Sequence, residues 1–246
     1  MTPTDTARPP RLAVLIDADN VSAAYADALF DEIATLGDAS VRRIYGDFAS
    51  SRLKKWSDVL TRHAILPHQQ FAYTQGKNAS DMALVIDAMT LLFSGHVDGF
   101  CLVSSDSDFT RLATEIRERG MMVYGFGDQK TPESLRSACH RFIYLGNLGK
   151  SGPNPAAPDD EAKTAPVRQP PSKAIPLINS AIDQIESDSE WVNLGEVGNL
   201  LFKLRSDFDS RSYGEPKLSD LVRKTGAFDM KSENQAVLIR RKPKAK

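Results

Sequence analysis

The stretch Leu12-Ala-Val-Leu-Ile-Asp-Ala-Asp-Asn20 decides the fold class of this chain. Its first five residues are apolar, and Asp17, Asp19 and Asn20 follow them directly. A short apolar run bounded by polar residues is typical of a strand that is buried on both faces of a parallel sheet. The stretch therefore predicts a central strand with two carboxyl groups at its carboxyl end.

A second stretch, Phe100-Cys-Leu-Val-Ser-Ser-Asp-Ser-Asp108, has the same form and places Asp106 and Asp108 after an apolar run. The carboxyl ends of parallel strands meet at one edge of the sheet, where open α/β sheets hold their active sites. Several carboxylates gathered there repel one another unless a cation or a shared proton neutralises them. Because oxygen ligands favour hard cations, the two stretches predict a site for Mg²⁺ or Mn²⁺.

Apolar runs and amphipathic segments alternate through the first part of the chain. The predicted strands are 12–16, 41–45, 100–103, 121–125 and 142–145, with a further short strand at 64–66 or 68–71. The predicted helices are 21–36, 51–62, 80–93, 108–119 and 133–140. Repeated β-α-β units predict an α/β domain with a Rossmann-like parallel sheet and helices on both of its faces.

The composition changes at residue 149, where proline, glycine and alanine replace the apolar pattern. We therefore predict a first domain at 11–148, a flexible linker at 149–171 and a second domain at 172–246. In the second domain three predicted helices, one that carries Ile178, Ile182 and Ile185 at helical spacing and two at 191–204 and 216–224, precede two short strands, 227–230 and 236–240. Three helices followed by a hairpin are the pattern of a winged-helix α+β domain.

The bulk composition is that of an ordinary globular protein. The 246 residues are 41% hydrophobic and 26% charged, with a net charge of −1. No apolar run approaches the roughly 18 residues of a membrane span, and residues 1–10 lack the apolar segment of a signal peptide. We expect a soluble cytoplasmic protein without a membrane partner, whose two cysteines, Cys101 and Cys139, are reduced core thiols. The sequence leaves its oligomeric state open.

Asp81 is a third acidic candidate, at the start of the predicted helix 80–93. Leu84, Ala88 and Leu92 follow it at helical spacing, so that Asp81 shares the face that turns toward the core. A carboxylate on an inward face should meet a cation or strong hydrogen-bond donors. Asp87 lies off that face, and we expect it to be solvated.

Each acid also has an interpretation that requires no function. Asp19 or Asn20 can cap the following helix, and capping is the favoured role of Asp19. Ser105 or Ser107 can cap the next helix, and Asp81 can be a first-turn residue stabilised by the helix dipole. Capping requires a single residue, so that the excess of acids after residue 16 favours a functional role for Asp17.

The first domain resembles the NYN branch of the PIN-like nuclease superfamily. The resemblance rests on Ile16-Asp-Ala-Asp-Asn20, Lys77-Asn-Ala-Ser-Asp81 and Val103-Ser-Ser-Asp-Ser-Asp-Phe109. It implies ribonuclease chemistry with a divalent metal. By motif, it gives the central catalytic and metal-binding role to Asp17, Asp81 and Asp106, a further metal contact to Asp108, supporting roles to Asn20, Asp19 and Ser105, and a substrate contact to Lys77.

The second domain resembles the LOTUS or OST-HTH module, on the basis of Trp191, the segment 194–204, Tyr213-Gly214 and the hairpin that begins at Phe228. The resemblance implies RNA binding and contacts with protein partners. The side chains expected to contact phosphates are Lys217, Arg223, Lys224, Arg240 and Arg241. The alternative is that these are solvated charges on a small domain.

The sequence thus predicts a metal-dependent endoribonuclease with a C-terminal RNA- or protein-binding module. Two alternatives stay open. One is a non-catalytic RNA-binding adaptor with a dormant acidic cleft. The other is a haloacid-dehalogenase-like phosphatase with Asp17 as nucleophile and Asp19 as acid/base, although Asn20 stands where that family has Thr or Val.

Overall fold

The chain divides into two compact units, residues 1–156 and 157–246. A computed structural model describes residues 8–49, 51–70, 79–149, 168–187, 189–233 and 236–243, with backbone alone for residues 51 and 52. Most of the predicted linker 149–171 lies outside these ranges. The predicted domain boundaries stay a prediction.

The first unit is built on a six-stranded parallel sheet. Its strands are β1 (Arg11–Asp17), β2 (Asp38–Gly46), β3 (Leu66–Gln69), β4 (Gly99–Val103), β5 (Met122–Gly127) and β6 (Arg141–Tyr144). They lie in the order β3-β2-β1-β4-β5-β6, and every neighbouring pair is parallel. This confirms the predicted Rossmann-like sheet. The short strand at its edge falls between the two predicted alternatives.

Helices cover both faces of this sheet. They are α1 (Ala26–Leu36), α2 (Ser57–Arg62), α3 (Ala79–Ser94), α4 (Thr110–Glu118) and α5 (Glu133–Ala138). Apolar residues of α1 and α2 pack in one core cluster, and those of α3, α4 and α5 pack in another. Because β1 and β4 are buried between the two clusters, their sequences are apolar throughout rather than alternating.

Three of the predicted helices begin later than expected. Short 3₁₀ turns occupy their first residues, at Ala23–Tyr25, Ser51–Trp56 and Ser107–Phe109. The predicted end of the first helix at Gly37 is confirmed, and its backbone N–H donates to the carbonyl of Ile33. A side chain at this position would lie 2.4 Å from the carbonyl oxygen of Pro10, so that only glycine fits there.

The second unit combines three helices with a small antiparallel sheet. Its elements are α6 (Ala174–Asp183), β7 (Val192–Asn193), α7 (Leu194–Leu204), α8 (Leu218–Thr225), β8 (Phe228–Glu233) and β9 (Ala236–Arg241). The strands lie in the order β7-β9-β8. The predicted helix at 191–204 is wrong in its first turn, because Val192 and Asn193 pair with β9. The side chain of Asn193 then caps α7 by accepting from the N–H of Gly195.

Two further expectations concern the whole chain. Cys101 and Cys139 are both buried and free, as predicted. Among the described helices, none has the length and apolar character needed to cross a membrane.

Candidate active site

The candidate site lies where the strand order of the sheet reverses. β1 and β4 are neighbours, and the chain leaves them toward opposite halves of the sheet. Ile16 is paired with Val103, so that the next residues, Asp17 and Ser104, stand side by side at the carboxyl edge. Open α/β sheets bind ligands at this switch point because the loops after the two strands diverge and leave a crevice.

Asp17 is fixed in this crevice by three donors. Its side chain is 1% exposed. Oδ1 accepts from the backbone N–H of Asp19 at 3.1 Å, while Oδ2 accepts from Asn20 Nδ2 at 2.6 Å and from Ser104 Oγ at 2.8 Å. Burial raises the pKa of Asp17 above its ordinary value, and the hydrogen bonds from Asn20 and Ser104 work against this rise.

Ser104 connects the two acidic stretches, and sequence reasoning missed it. Besides donating to Asp17, its Oγ accepts from the backbone N–H of Asp106 at 3.1 Å. The available signal was its position: Ser104 is the first residue after β4, as Asp17 is the last of β1. Ser105, to which the resemblance gives a supporting role, accepts from the N–H of Asp128 at 2.8 Å in the loop after β5.

Asp106 and Asp108 begin the turn that follows β4. Asp106 Oδ1 accepts from the N–H of Asp108 at 2.9 Å and caps the turn Ser107–Phe109. The prediction that Ser105 or Ser107 provides this cap is therefore wrong. Asp106 is partly buried and Asp108 is exposed, so that both carboxylates are accessible to solvent.

Asp19 and Asn20 do not cap the following helix, contrary to the expectation for Asp19. Ser22 caps the turn Ala23–Tyr25 through a hydrogen bond from the N–H of Ala24. Asp19 is exposed, and its contribution to Asp17 comes from its backbone. The amide side chain of Asn20 points its donor at Asp17, which agrees with the supporting role expected of it.

Asp81 shows that the acids are close enough to act on one another. It lies in the first turn of α3 and is partly buried. Burial, followed by the negative charges of Asp17, Asp106, Asp19 and Asp108, raises the pKa of Asp81 to about 6. The structure therefore brings together the five acids that the three sequence motifs carry.

These acids fit a hard cation in chemical type but do not form a closed coordination sphere. They offer oxygen ligands alone, and their mutual repulsion would fall if a cation were bound. Within the described ranges, no group of three or more His, Cys, Asp or Glu side chains is arranged to hold a metal ion. Lys77, the predicted substrate contact, lies outside the described residues.

The expectation that Asp87 is solvated is wrong. Its side chain anchors α3 to the sheet. Its carboxylate forms an ion pair with Arg43 and accepts a hydrogen bond from the hydroxyl of Tyr45, both on β2. The Arg43 and Asp87 side chains are 25% and 18% exposed. This contact fixes α3 against β2 between one and two turns from Asp81, and so helps to position Asp81 at the crevice.

Comparison with known families agrees with this arrangement. Residues 11–146 match the profile of the NYN domain, and residues 165–239 match that of the OST-HTH/LOTUS domain. The chain belongs to the NYN family. NYN domains are PIN-like nucleases, and OST-HTH domains are RNA-binding modules. The match favours the nuclease interpretation over the phosphatase alternative, whose nucleophile would be the buried Asp17.

Three solved structures are similar to parts of this NYN protein. A protein of unknown function from Vibrio parahaemolyticus is 20% identical, with a TM-score of 0.47, over 56% of this chain and 94% of that one. An uncharacterised protein from Nitrosomonas europaea is 35% identical, with a TM-score of 0.28, over 40% and 91%. MurG from Acinetobacter baumannii is 12% identical, with a TM-score of 0.37, over 72% and 56%. A comparison with curated proteins found no match.

The cations predicted to contact RNA in the OST-HTH domain are mostly engaged in ion pairs. Arg223 pairs with Asp220, and Lys224 pairs with Glu215. Lys217, at the start of α8, is exposed and has no ion pair within the described residues. The helix therefore presents basic groups whose acidic partners would have to be displaced by phosphate.

The basic end of β9 in the OST-HTH domain is paired as well. Arg240 forms ion pairs with Asp229 at 3.1 Å and Glu190 at 3.3 Å, and its guanidinium lies 4.8 Å from the ring centre of Trp191. Arg241 pairs with Asp183 of α6. Exposed pairs of this kind contribute little to stability, and phosphate can replace the carboxylate at small cost.

Proposed function

We propose that this NYN protein is a metal-dependent endoribonuclease whose acidic crevice holds Mg²⁺ or Mn²⁺. One observation carries the proposal: burial, and after it the negative charges of the four neighbouring carboxylates, raise the pKa of Asp81 to about 6. Such a concentration of negative charge favours binding of a divalent cation. Asp17, Asp81 and Asp106 would hold the ion together with Asp108.

A bound divalent ion supplies a nucleophilic hydroxide at neutral pH and stabilises the charge that develops on the scissile phosphate. The protein's own contribution is positional. Asn20 and Ser104 hold the carboxylate of Asp17 in one orientation, and the contact of Asp87 with β2 holds α3 and thereby Asp81. Asp81 must lose its proton to bind a cation, so that activity should rise as the pH increases through about 6.

We propose that the OST-HTH domain is a winged helix that binds RNA through Lys217, Arg223, Lys224, Arg240 and Arg241. The tether between the domains would raise the local concentration of RNA near the crevice. A cytoplasmic location, and protein partners of the second domain, also stay predictions.

The proposal is tested by RNA cleavage with purified full-length protein. Mixed single-stranded and structured RNA is incubated with Mn²⁺, Mg²⁺ or EDTA. The variant with Asp17→Asn and Asp106→Asn is compared with Asp31→Asn, which removes an exposed acid from α1. We expect products with metal from the wild type and from Asp31→Asn, and none from the double variant. Equal cleavage by the double variant would identify a contaminating nuclease.

The second candidate function is an RNA-binding adaptor without catalysis. It is favoured by the absence, among the described residues, of a group arranged to hold a metal ion. It is also favoured by Asp17, both of whose oxygens already accept hydrogen bonds from the protein. If the protein is an adaptor, RNA should stay intact with every metal in the cleavage assay. The double variant should still bind RNA.

A further inference from the structure

The outer face of α3 carries an apolar stripe. Met82, Ile86 and Phe93 are 60%, 60% and 65% exposed, and they are three of the six large hydrophobic residues that are exposed in the described chain. Met89 lies between them in the helical repeat; it is partly buried, with one side packed against the core and the other at the surface. These four residues are called the α3 stripe below. An exposed apolar patch of this kind marks an interaction surface.

The charges around the α3 stripe favour a protein partner over RNA. The acidic residues of α3 are Asp81, at the crevice, and Asp87, which is paired with Arg43. The helix has no other charged side chain, and the guanidinium of Arg119 beside Phe93 is already paired with Glu115. A protein surface that binds RNA needs positively charged side chains to contact the phosphates of the RNA backbone. Methionine, aromatic residues and arginine are instead enriched at protein interfaces.

The spacing of the stripe fits a second copy of the same helix. Residues 82, 86, 89 and 93 follow one another at intervals of four, three and four, the spacing of a helix that packs along a heptad seam. This series reads the same in both directions. Two copies of α3 in antiparallel orientation therefore match residue for residue, with Met82 against Phe93 and Ile86 against Met89 across a two-fold axis.

Charge complementarity supports the same orientation. At the Phe93 end of the stripe, the guanidinium of Arg119 lies 4.4 Å from the ring centre of Phe93 while it keeps its salt bridge to Glu115. At the Met82 end lies Asp81, beside the other acids of the crevice. Antiparallel pairing brings the basic end of one copy against the acidic end of the other.

We propose that the α3 stripe docks against the α3 stripe of a second copy of this chain and forms a two-fold dimer. A single helix pair buries less surface than a standard stable interface, so that the dimer is in equilibrium with the monomer. In this dimer, Arg119 of the second copy lies beside the crevice of the first, close to its negatively charged acids.

The test is sedimentation equilibrium of the full-length chain across the micromolar range. We expect the wild type to approach twice the mass of the 27.1 kDa chain as its concentration rises, and Ile86→Glu to stay at the monomer mass. The matched control is Leu66→Glu, an exposed apolar residue of similar exposure, 56%, on the edge strand β3. It should associate like the wild type. Circular dichroism checks that each variant is folded.

A charge exchange tests the register. In the proposed pair the two Ile86 residues lie on either side of the axis, about 4.5 Å apart along the helices. Ile86→Glu and Ile86→Lys should each be monomeric, and a mixture of the two should recover the dimer. A wild type that stays monomeric, or a dimer lost in Leu66→Glu but retained in Ile86→Glu, would overturn the proposal. So would a monomer in which Ile86→Glu weakens RNA binding, because RNA would then occupy the stripe.

Discussion

Asp17 is the most constrained acid of the crevice, because a buried carboxylate needs donors and this one has three. One of them, the hydroxyl of Ser104, also binds the backbone of Asp106. Ser104 therefore sets the position of two of the proposed metal ligands at once. Its role is indirect, since it acts through Asp17 and Asp106.

Removing this hydroxyl should weaken catalysis without unfolding the protein. Ser104→Ala deletes a donor to a buried carboxylate, and a hydrogen bond to a charged group contributes about 1.5–3 kcal/mol. We expect RNA cleavage to fall by about tenfold to a hundredfold. Ser104→Thr keeps the hydroxyl and should retain most of the activity. Ser107→Ala, an exposed serine of the same stretch, is the control. Cleavage by Ser104→Ala at the wild-type rate would contradict the prediction.

Asp81 should lower the stability of the metal-free protein above about pH 6. Its folded pKa, about 6, is raised from the ordinary 3.8, so that folding disfavours its ionised form. The cost is absent below the unfolded pKa and complete above the folded one. A rise of two units corresponds to ~2.7 kcal/mol, which solvent screening of this half-buried group reduces to about 1 kcal/mol.

Urea unfolding in EDTA checks this prediction. Asp81→Asn should be more stable than the wild type by about 1 kcal/mol at pH 8, and the difference should shrink toward pH 4. Asp31→Asn should follow the wild type at both pH values. An equal stability of Asp81→Asn and the wild type at pH 8 would show that neither burial nor the neighbouring acids disfavour the ionised form of Asp81.

The acids of the crevice could be found from sequence because each follows an apolar run or begins an amphipathic helix. Asp17 and Asp106 were identified in this way, and their meeting follows from the parallel pairing of β1 and β4. The signal for Ser104 is weaker: it too follows an apolar run directly, but serine occurs at that position in many loops. Its role became evident once Ile16 was seen opposite Val103.

At the scale of elements, α3 depends on a polar contact in addition to its apolar face. Leu84, Ala88 and Leu92 are buried against the sheet, as the helical periodicity predicted. The same periodicity placed Asp87 off the buried face, and it did not indicate that Asp87 would form an ion pair or a hydrogen bond. Arg43 and Tyr45 reach it from β2, a contact that depends on where α3 crosses the sheet.

Tyr45→Phe should therefore destabilise the first unit. The phenol hydroxyl donates to Asp87 in a half-buried site, and loss of such a bond costs about 1 kcal/mol. Tyr124→Phe is the matched control, because the hydroxyl of Tyr124 has no hydrogen bond within the described part of the chain. Thermal or urea unfolding measures both. Equal losses in the two variants would mean that the anchor contributes nothing of its own.

Element boundaries were harder to predict than elements. Helix α1 begins five residues after the expected start, because Ser22 caps a 3₁₀ turn first. Helix α7 begins late because Val192 and Asn193 add a third strand to a sheet that local sequence presents as a hairpin. In both places a hydrogen-bond partner decides the boundary, and hydrophobic periodicity does not reveal it.

For the whole molecule, RNA binding should depend on salt through the second domain. Each phosphate contact in single-stranded RNA contributes a slope of ~0.7 in the logarithm of affinity against the logarithm of salt concentration. Replacing Lys217 and Arg223 by glutamine should lower that slope by about 1.4. Fluorescence anisotropy with a labelled RNA measures it. Arg62→Gln, which breaks an exposed pair with Asp27 in the first domain, should leave the slope unchanged.

An unchanged slope in the Lys217 and Arg223 variant would place RNA elsewhere on the protein. The sequence predicted these cations as a group but could not reveal their partners. Arg241 meets Asp183, and Arg240 meets Glu190, each across about 50 residues or more of chain. Ion pairs between such distant residues form only when the chain is folded, so that composition alone overstates how much free positive charge a small domain presents.

The pairing of β1 with β4 governs when the first domain can fold during synthesis. Asp17 and Ser104 are 87 residues apart, and closing so long a loop delays the pairing of the two central strands. Until β4 has left the ribosome, β1 can pair on one edge alone and leaves the other open to foreign strands. The incomplete nascent chain is therefore more prone to aggregation than the finished domain, in which both edges of β1 are paired within the sheet.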